Sequence, residues 1–210
     1  MRMRIAMLLL LLPLVAASGC AKTVRPTVQP LKGAPVVYIH PMTDTYRQAK
    51  LGVLPFQVPA GMGEAQAHGV AGLFKDVLLG KRTFPVVKQL TTPTGDSAQA
   101  VEFGRANDCD LVLLGSLDYA MSGGDLGGAR VGVSVRLLSV KTGNTVWYLS
   151  QGMDQPMDYP DTGMVNRFVD ALSMPAYRGS NGAPTVANML ARIAVDMAEV
   201  FAGARDVASR

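Results

Sequence analysis

The fold is decided by residues 111–149, LVLLGSLDYAMSGGDLGGARVGVSVRLLSVKTGNTVWYL. Their continuous apolar start, at 111–115, is typical of a central strand that is buried on both faces. From 131 to 137, valine and leucine alternate with glycine, serine and arginine, which predicts a strand with one face in water. Turn-forming residues at 141–144 lead into a β-rich run at 145–149, so these two strands are expected to form an antiparallel hairpin.

Two strand–helix units are predicted upstream of this stretch. The apolar run at 50–56, KLGVLPF, indicates the first strand, and apolar residues at helical spacing from 70 to 78 indicate the first helix. FPVV, at 84–87, indicates a second strand, in which the proline favours an edge position. Either Asp96 or Ser97 is expected to cap a second helix with a weaker apolar pattern.

The C-terminal third divides into an irregular part and a helix. Residues 151–183 contain prolines, glycines and methionines, with a helical turn predicted near 165–172. An apolar stripe from 186 to 201, with Thr185 as N-cap, predicts a final helix that closes the remaining face of the sheet. Two strand–helix units followed by an antiparallel hairpin therefore predict an α/β fold, a mixed β-sheet with helices packed on it in a three-layer-like arrangement.

The N-terminus has the composition of a secretory signal. MRMRIAMLLLLLPLVAASGC, residues 1–20, combines a basic start, an apolar stretch and small residues before Cys20. Its last four residues, ASGC, resemble the lipobox of bacterial lipoproteins. That resemblance implies cleavage before Cys20, a lipid on its sulfur and acylation of the new amine. The alternative is a plain signal peptide in which the position of the cysteine is accidental.

Lipidation would also fix the compartment. Each buried methylene contributes about 0.8 kcal/mol, so two or three acyl chains hold a soluble domain on a bilayer almost permanently. Ala21 follows the cysteine, where lipoproteins kept at the inner membrane typically carry aspartate. By that resemblance, the protein is expected at the outer membrane, lipid-anchored and on the periplasmic face.

The predicted organisation is a signal peptide, a tether and one domain. The bounds are 1–19 for the signal peptide, 20–48 for the lipidated cysteine and extended tether, and 49–210 for a single periplasmic domain with an irregular excursion at 152–184 and a C-terminal helix at 185–203. The proline-bearing part of the tether, 21–35, reaches about 50 Å when extended. VVYIH, at 36–40, is either a short strand or an anchoring segment.

Composition excludes several classes of protein. Apolar residues make up 49% and charged residues 17% of the chain, which is too apolar for a disordered protein. The net charge is +4, but without Arg2 and Arg4 the chain keeps 18 basic and 16 acidic residues, so no nucleic-acid partner is expected. Two cysteines exclude a disulfide framework and a four-thiolate zinc site, and Cys109 is expected to be a buried, inert thiol.

The order of these patterns resembles one superfamily. KLGVLPF, a helix ending in glycine, FPVV, a helix containing alanines, NDCDLVLLGSLD, VGVSVRLLSV, KTGNTVW and a final helix follow one another. This is similar to the periplasmic lipoproteins that share the amino-terminal fold of TolB. Its members include the curli-secretion lipoprotein, the PelC-type lipoproteins of polysaccharide export and the LpoB-type activators of peptidoglycan synthases. The resemblance covers residues 49–151 and the last helix.

The resemblance implies a protein that binds and assembles, not an enzyme. Its members often form rings, so the chain is expected to be an oligomeric component of an envelope export or assembly complex, of the PelC or curli-secretion type. The alternative is an LpoB-like activator of a peptidoglycan synthase, although those activators carry a long tether and this one is short. Trp147 matches an aromatic that lies near the lipid surface in PelC-type proteins; alternatively it is a core residue.

Catalytic, cofactor and metal sites find little support. His40 and His68 are the only histidines and have no second ligand at metal spacing. A remote alternative is a copper-binding periplasmic protein, because three methionines, Met153, Met157 and Met164, are closely spaced, but methionine is usually packing material. SGGDLGG, at 122–128, lacks the features of a phosphate loop and is expected to be a hairpin tip. The remaining candidates are scattered acids with no spacing for acid–base work: Glu64, Asp76, Asp96, Asp108, Asp110 and Asp118.

Overall fold

The structure is a computed structural model that describes residues 31–41, 46, 48–92, 95–124, 128–156 and 185–207. Within these ranges the chain forms seven strands and three helices. In chain order they are β1 (Leu31–Lys32), β2 (Val36–Ile39), β3 (Lys50–Val53), α1 (Glu64–Gly80), β4 (Val86–Gln89), α2 (Ser97–Ala106), β5 (Leu111–Met121), β6 (Arg130–Ser139), β7 (Thr145–Asp154) and α3 (Val186–Val207).

All seven strands belong to one mixed sheet, in the order β1–β7–β6–β5–β3–β4, and β2 pairs with β7 on the same edge as β1. Strand β3 is parallel to both β4 and β5, whereas β5, β6 and β7 form an antiparallel meander. The two crossovers leave β3 and β4 in opposite directions across the sheet, which places α1 and α2 on opposite faces. The predicted α/β class with a mixed sheet is confirmed.

The helices form two layers around the sheet. Helices α1 and α3 cover one face and bury the larger core, which includes Phe74, Phe201 and the inward residues of β5, β6 and β7. Helix α2 covers part of the other face, where Ala100 and Val101 pack on Val112, Leu138 and their neighbours. The described helices therefore enclose the sheet on one side and cover only part of the other.

The predicted position of the last helix is wrong. Helix α3 does not close the remaining face but packs beside α1, on the face that α1 already covers. The alternation along β6 and β7 explains this, because their apolar residues point to the α1 side and their glycines, serines, Arg136 and Tyr148 point to the other. An apolar helix stripe packs on the apolar side of these strands, so no helix of the described ranges covers the opposite face of β6 and β7 beyond the part that α2 reaches.

The predicted tether is also too long. Leu31 and Lys32 pair with β7 as β1, and residues 36–39 pair with it as β2. Residues 36–40 are thus mainly a strand, one of the two alternatives that the sequence left open. Strand β7 continues to Asp154, so the irregular excursion begins later than predicted. The helical turn expected at 165–172 lies outside the described residues.

Several local predictions are confirmed. The side chain of Asp96 accepts a hydrogen bond from the Ala98 amide at 3.1 Å and so caps α2. The Thr185 hydroxyl accepts one from the Asn188 amide at 3.3 Å at the start of α3. Strand β4, which follows Pro85, is the edge of the sheet opposite β1 and β2. Gly143, in the β6–β7 turn, has a positive φ of 74° that favours glycine.

Candidate functional site

The first described residues of the chain are fastened to the domain by a polar clamp. The Lys32 ammonium lies 2.7 Å from one carboxylate oxygen of Asp196, on α3. The Gln151 amide donates to the other oxygen of Asp196 at 2.6 Å and to the Gly33 carbonyl at 2.9 Å. The Gly33 amide in turn donates to the Gly152 carbonyl at 3.1 Å. We call these residues, Lys32, Gly33, Gln151 and Asp196, the clamp.

The clamp joins three elements at the point where the chain enters the sheet. Asp196 is 12% exposed and Gln151 is 3% exposed, so the two hydrogen bonds of Gln151 are shielded from water and gain strength accordingly, whereas the Lys32 side chain is 46% exposed. Sequence reasoning missed them. The available signal was the glutamine itself, because Gln151 occupies an inward position in the alternation Trp147, Leu149, Gln151, Met153, where a polar residue needs a buried partner.

The part of the sheet that no described helix covers forms a second feature, which we call the open face. It carries the outward residues of β5, β6 and β7 together with those of β1 and β2 that lie on the same side. Its members are Leu31, Val36, Tyr38, Ser116, Asp118, Tyr119, Met121, Arg130, Gly132, Ser134, Arg136, Tyr148, Ser150, Gly152 and Asp154. Cross-strand pairing sets them in rows, of which the row nearest the start of β1 is Leu31, Asp154, Arg130 and Met121.

Aromatic rings and one arginine cover one end of the open face. Tyr38 stacks on Tyr148 with ring centroids 4.8 Å apart and planes 27° apart. The guanidinium carbon of Arg136 lies 4.7 Å from the centroid of the Tyr148 ring, a distance typical of cation–π contact. Among the described residues Arg136 has no carboxylate partner, whereas Arg130 pairs with Asp154 at 3.1 Å.

Tyr119 covers the other end of the open face. Its ring occupies the space that a Cβ at Gly132 would need, and its hydroxyl would lie 2.8 Å from a Cβ at Gly152. The ring therefore lies across two strands on their glycines, as aromatic residues do when they shield backbone in a sheet. Three serines, Ser116, Ser134 and Ser150, form the row between Tyr119 and Tyr148.

Exposed apolar side chains concentrate around the open face. In the described ranges nine large apolar residues are exposed, and seven of them belong to β1, β2 or the end of β5. Leu31 is 66%, Tyr38 59% and Met121 57% exposed, whereas the two remote residues, Leu79 and Val86, are less so. A cluster of this kind marks an interaction surface, because scattered single residues would be the ordinary pattern.

The acids that the sequence singled out have structural partners. Asp108 and Asp110 converge on Lys50, whose ammonium lies 2.6 Å from Asp108 and whose amide donates to Asp110 at 2.8 Å. The other four are dispersed: Glu64 lies 3.6 Å from His68, Asp76 lies 3.1 Å from Lys75, Asp96 caps α2, and Asp118 accepts from Ser134 at 3.0 Å. These four acids are therefore accounted for by a helix cap, by neighbouring basic side chains on α1 and by a serine on the adjacent strand.

Three pKa values are shifted in this region, two by the Lys50–Asp108 pair and one by burial. The hydrogen bond and charge of Asp108 raise the pKa of Lys50, and Lys50 lowers the pKa of Asp108 in return. Burial raises the pKa of the Cys109 thiol, which is 6% exposed and donates to the Asn107 carbonyl at 3.6 Å. A thiol whose neutral form is favoured is a poor nucleophile, as expected for an inert core cysteine.

Trp147 is a core residue in this structure. It is 4% exposed and contacts Phe84, Phe201 and Tyr46, with ring centroids 6.4, 5.8 and 5.6 Å away. The core alternative therefore describes it, because position 147 points to the α1 side of β7. Its indole N–H has no hydrogen-bond partner among the residues described here.

The metal candidates that the structure describes, Met153, His40 and His68, do not form a common site. Met153 is 1% exposed in the core, while Met157 and Met164 lie outside the described residues. His40 contacts the Pro41 carbonyl, and His68 lies beside Glu64 on α1. In the described part of the chain, no three histidine, cysteine or acidic residues form a group that could hold a metal. Cys20 lies before the first described residue.

No helix in the described ranges has the length and apolarity to cross a membrane.

No protein-family model matches the sequence, and no curated protein matches it. Among solved structures, a PelC dodecamer from Paraburkholderia phytofirmans is 16% identical with a TM-score of 0.46, over 80% of this chain and 96% of that one. Lipoprotein GNA1162 from Neisseria meningitidis is 13% identical with a TM-score of 0.38, over 59% and 93%. The LpoB C-terminal domain from Salmonella enterica is 13% identical with a TM-score of 0.39, over 54% and 88%.

PelC and LpoB are two of the groups that the sequence resembles, and both are among the structures matched. Identities of 12–16% and TM-scores below 0.5 describe a distant likeness. The function of this chain is therefore inferred from its own residues.

Proposed function

We propose that the protein is a non-enzymatic, lipid-anchored periplasmic component of the outer membrane, which assembles as an oligomer in an envelope export or assembly complex of the PelC type. The observation that carries this proposal is the short path from Cys20 to the sheet. Only residues 21–30 separate the lipobox cysteine from β1, and the clamp fastens the chain immediately after them.

The short tether supports a function close to the membrane. Ten residues span at most about 35 Å even when fully extended, less than the 50 Å expected when the tether was taken to run to residue 35. An LpoB-like activator needs a long tether to reach a synthase across the periplasm, so the shorter tether favours the export or assembly alternative. Anchoring in a plane raises the effective concentration of the domains, so weak lateral contacts are sufficient for assembly.

Lipidation is tested directly on the protein isolated from membranes. Its intact mass should correspond to a chain that begins at Cys20 and carries a thioether-linked diacylglycerol and an amide-linked acyl chain. A Cys20→Ser variant should lose labelling by an alkyne palmitate analogue, while the control variant Cys109→Ser keeps it. An unmodified residue 20, or a chain that retains residues 1–19, contradicts the proposal.

Assembly and partner are tested in cells. Cross-linking should trap oligomers of the wild-type protein and mostly monomers of Cys20→Ala, provided that the variant keeps its circular dichroism spectrum. If Cys20→Ala assembles as well as the wild type, the anchoring mechanism is wrong. Pull-down of export components supports the proposal, whereas pull-down of a peptidoglycan synthase supports the alternative.

A further inference from the structure

We propose that the open face is the surface with which the domain contacts the lipid headgroup region of the membrane that holds its anchor. This inference rests on the proposed lipid anchor, and it adds an orientation: the part of the sheet beside α2, formed by β1, β2, β5, β6 and β7, faces the bilayer, with α1 and α3 on the far side. The contact uses Leu31, Val36, Tyr38, Tyr119 and Met121 as its apolar part.

The first argument is the place where the tether ends. The tether leads into Leu31, and Leu31 is itself a member of the open face, at the corner of its first row. The row runs from Leu31 through Asp154 and Arg130 to Met121, roughly 14 Å away across three strand spacings. Because the clamp fixes the chain at Lys32 and Gly33, a tether of ten residues keeps this corner within about 35 Å of the lipidated cysteine.

The second argument is the backbone of the open face. The amides and carbonyls of β6 are paired within the sheet on both sides, with β5 and β7. A sheet face can therefore approach lipid without exposing unsatisfied backbone groups, which an open sheet edge cannot do.

The third argument is the side-chain chemistry. Tyrosine is enriched at the membrane–water interface, because its ring is apolar and its hydroxyl can form hydrogen bonds with water. Arg136 packs its guanidinium on Tyr148 and has no acid partner in the described ranges, which leaves it available to phosphate groups. The open face carries two arginines and two aspartates, so its net charge is zero. Arg130 pairs with Asp154, and Asp118 accepts a hydrogen bond from Ser134. Contact is therefore expected with zwitterionic lipid and does not require anionic lipid.

The experiment places a tryptophan on the open face of the lipidated protein. Tyr38→Trp and the control Leu79→Trp are each reconstituted into phosphatidylethanolamine–phosphatidylcholine vesicles that contain brominated lipid. Leu79 is 41% exposed and lies on α1, on the far side of the sheet. Bromine should quench the emission that Tyr38→Trp adds over the wild type and leave that of Leu79→Trp unchanged. Trp147, buried in both, gives the same background.

A second pair of variants tests the surface itself. Met121→Asp places a charge on the open face and should reduce the quenching of Tyr38→Trp. Leu79→Asp places the same charge on α1, on the far side of the sheet, and should not. Both sites are exposed, so neither variant is expected to unfold the domain.

The outcomes separate this inference from the proposed function. A protein that fails to float with the vesicles contradicts the lipid anchor. A protein that floats while Tyr38→Trp escapes quenching overturns the orientation alone. Equal quenching of Tyr38→Trp and Leu79→Trp overturns it as well. Cross-linking of residue 38 to a second copy, without quenching, assigns the open face to self-association and also overturns the inference.

Discussion

At the scale of single residues, Gly104 shows how closely α2 packs on the sheet. A Cβ at this position would meet the Cγ2 atom of Val140 at 2.6 Å and that of Val112 still closer. Both valines are short, branched and buried, so they have no free rotamer that would make room. Gly104 is therefore needed for close approach rather than for an unusual backbone angle.

We expect Gly104→Ala to lower the free energy of unfolding by about 1–3 kcal/mol, because overpacking a dense core forces its neighbours to move. Gly69→Ala is the matched control, since Gly69 lies on α1 with no atom within 4 Å of the added Cβ. That change should raise stability by about 0.5–1 kcal/mol through helix propensity. Urea unfolding of both variants measures the difference, and equal effects would contradict this account of α2 packing.

The buried thiol of Cys109 predicts a pH dependence. Its pKa is raised in the folded protein, so the unfolded thiol ionises first as the pH rises. The contribution to stability is fully present below the unfolded pKa and is lost as the pH rises towards the folded pKa. Unfolding of the Cys20→Ala protein at pH 7 and pH 10 should therefore show a larger loss than unfolding of the same protein with Cys109→Ala. A loss of the same size in both proteins would contradict it.

Sequence reasoning worked for residues whose role depends on near neighbours and not for those whose partners are remote. The Asp96 cap and the turn at Gly143 follow from a few adjacent positions. Trp147 left two alternatives, because its position in a strand fixes the side of the sheet only when the packing on both sides is known. Lys32 and Asp196 are 164 residues apart, and no local pattern pairs them.

At the scale of elements, the clamp decides how firmly β1 is held. Strand β1 has only two residues and forms few hydrogen bonds with β7, so its position in the sheet depends on the contacts with Asp196 and Gln151. Removing Asp196 leaves Gln151 with one bond fewer in a buried site, which costs more than loss of a surface ion pair. Glu199, one turn further along α3, pairs with Lys81 at 2.8 Å on the surface and offers the comparison.

Asp196→Ala should therefore cost about 1–3 kcal/mol of unfolding free energy, as expected for an unsatisfied buried partner. Glu199→Ala should cost about 1 kcal/mol or less, as for exposed ion pairs. Amide hydrogen exchange should show faster exchange in β1 and β2 of Asp196→Ala, while the central strands β5 and β6 keep their protection. Uniform loss of protection across the sheet would contradict a local clamp.

The helices and strands themselves were largely predictable, because the spacing of apolar residues along the chain differs between a helix and a strand. Continuous apolar runs and period-two alternation identify β3, β5 and β6, and helical stripes identify α1 and α3. The placement of α3 was not predictable from its stripe, since a stripe shows which side of a helix is apolar but not which face of a sheet receives it. The alternation of β6 holds that information, but only when its register against β5 and β7 is known.

At the scale of the whole molecule, the proposed contact between the open face and the membrane predicts a dependence on tether length. Adding twenty glycine and serine residues before Leu31 triples the ten-residue tether. The effective concentration of the face at the bilayer should fall about fivefold, following the −3/2 power of length. Quenching of Tyr38→Trp by brominated lipid should decrease while the lipid-anchored protein still floats with vesicles. Quenching that is independent of tether length would show that the face binds lipid strongly by itself.

The proposed anchor and the open face differ in how far the sequence alone can predict them. Cys20 is identified by four consecutive residues, so its lipidation can be predicted without any structure. The open face draws on β1, β2, β5, β6 and β7, which span more than a hundred residues. Its members become neighbours only through the sheet, and their exposure follows from a helix that packs elsewhere.

The clamp also gives the molecule a mechanical property. If the chain is anchored through Cys20 as proposed, tension on the anchor would enter the domain at Leu31, the first residue of the two-residue strand β1. The ion pair between Lys32 and Asp196 would pass part of that force to α3, so the load would not rest on the short ladder between β1 and β7 alone.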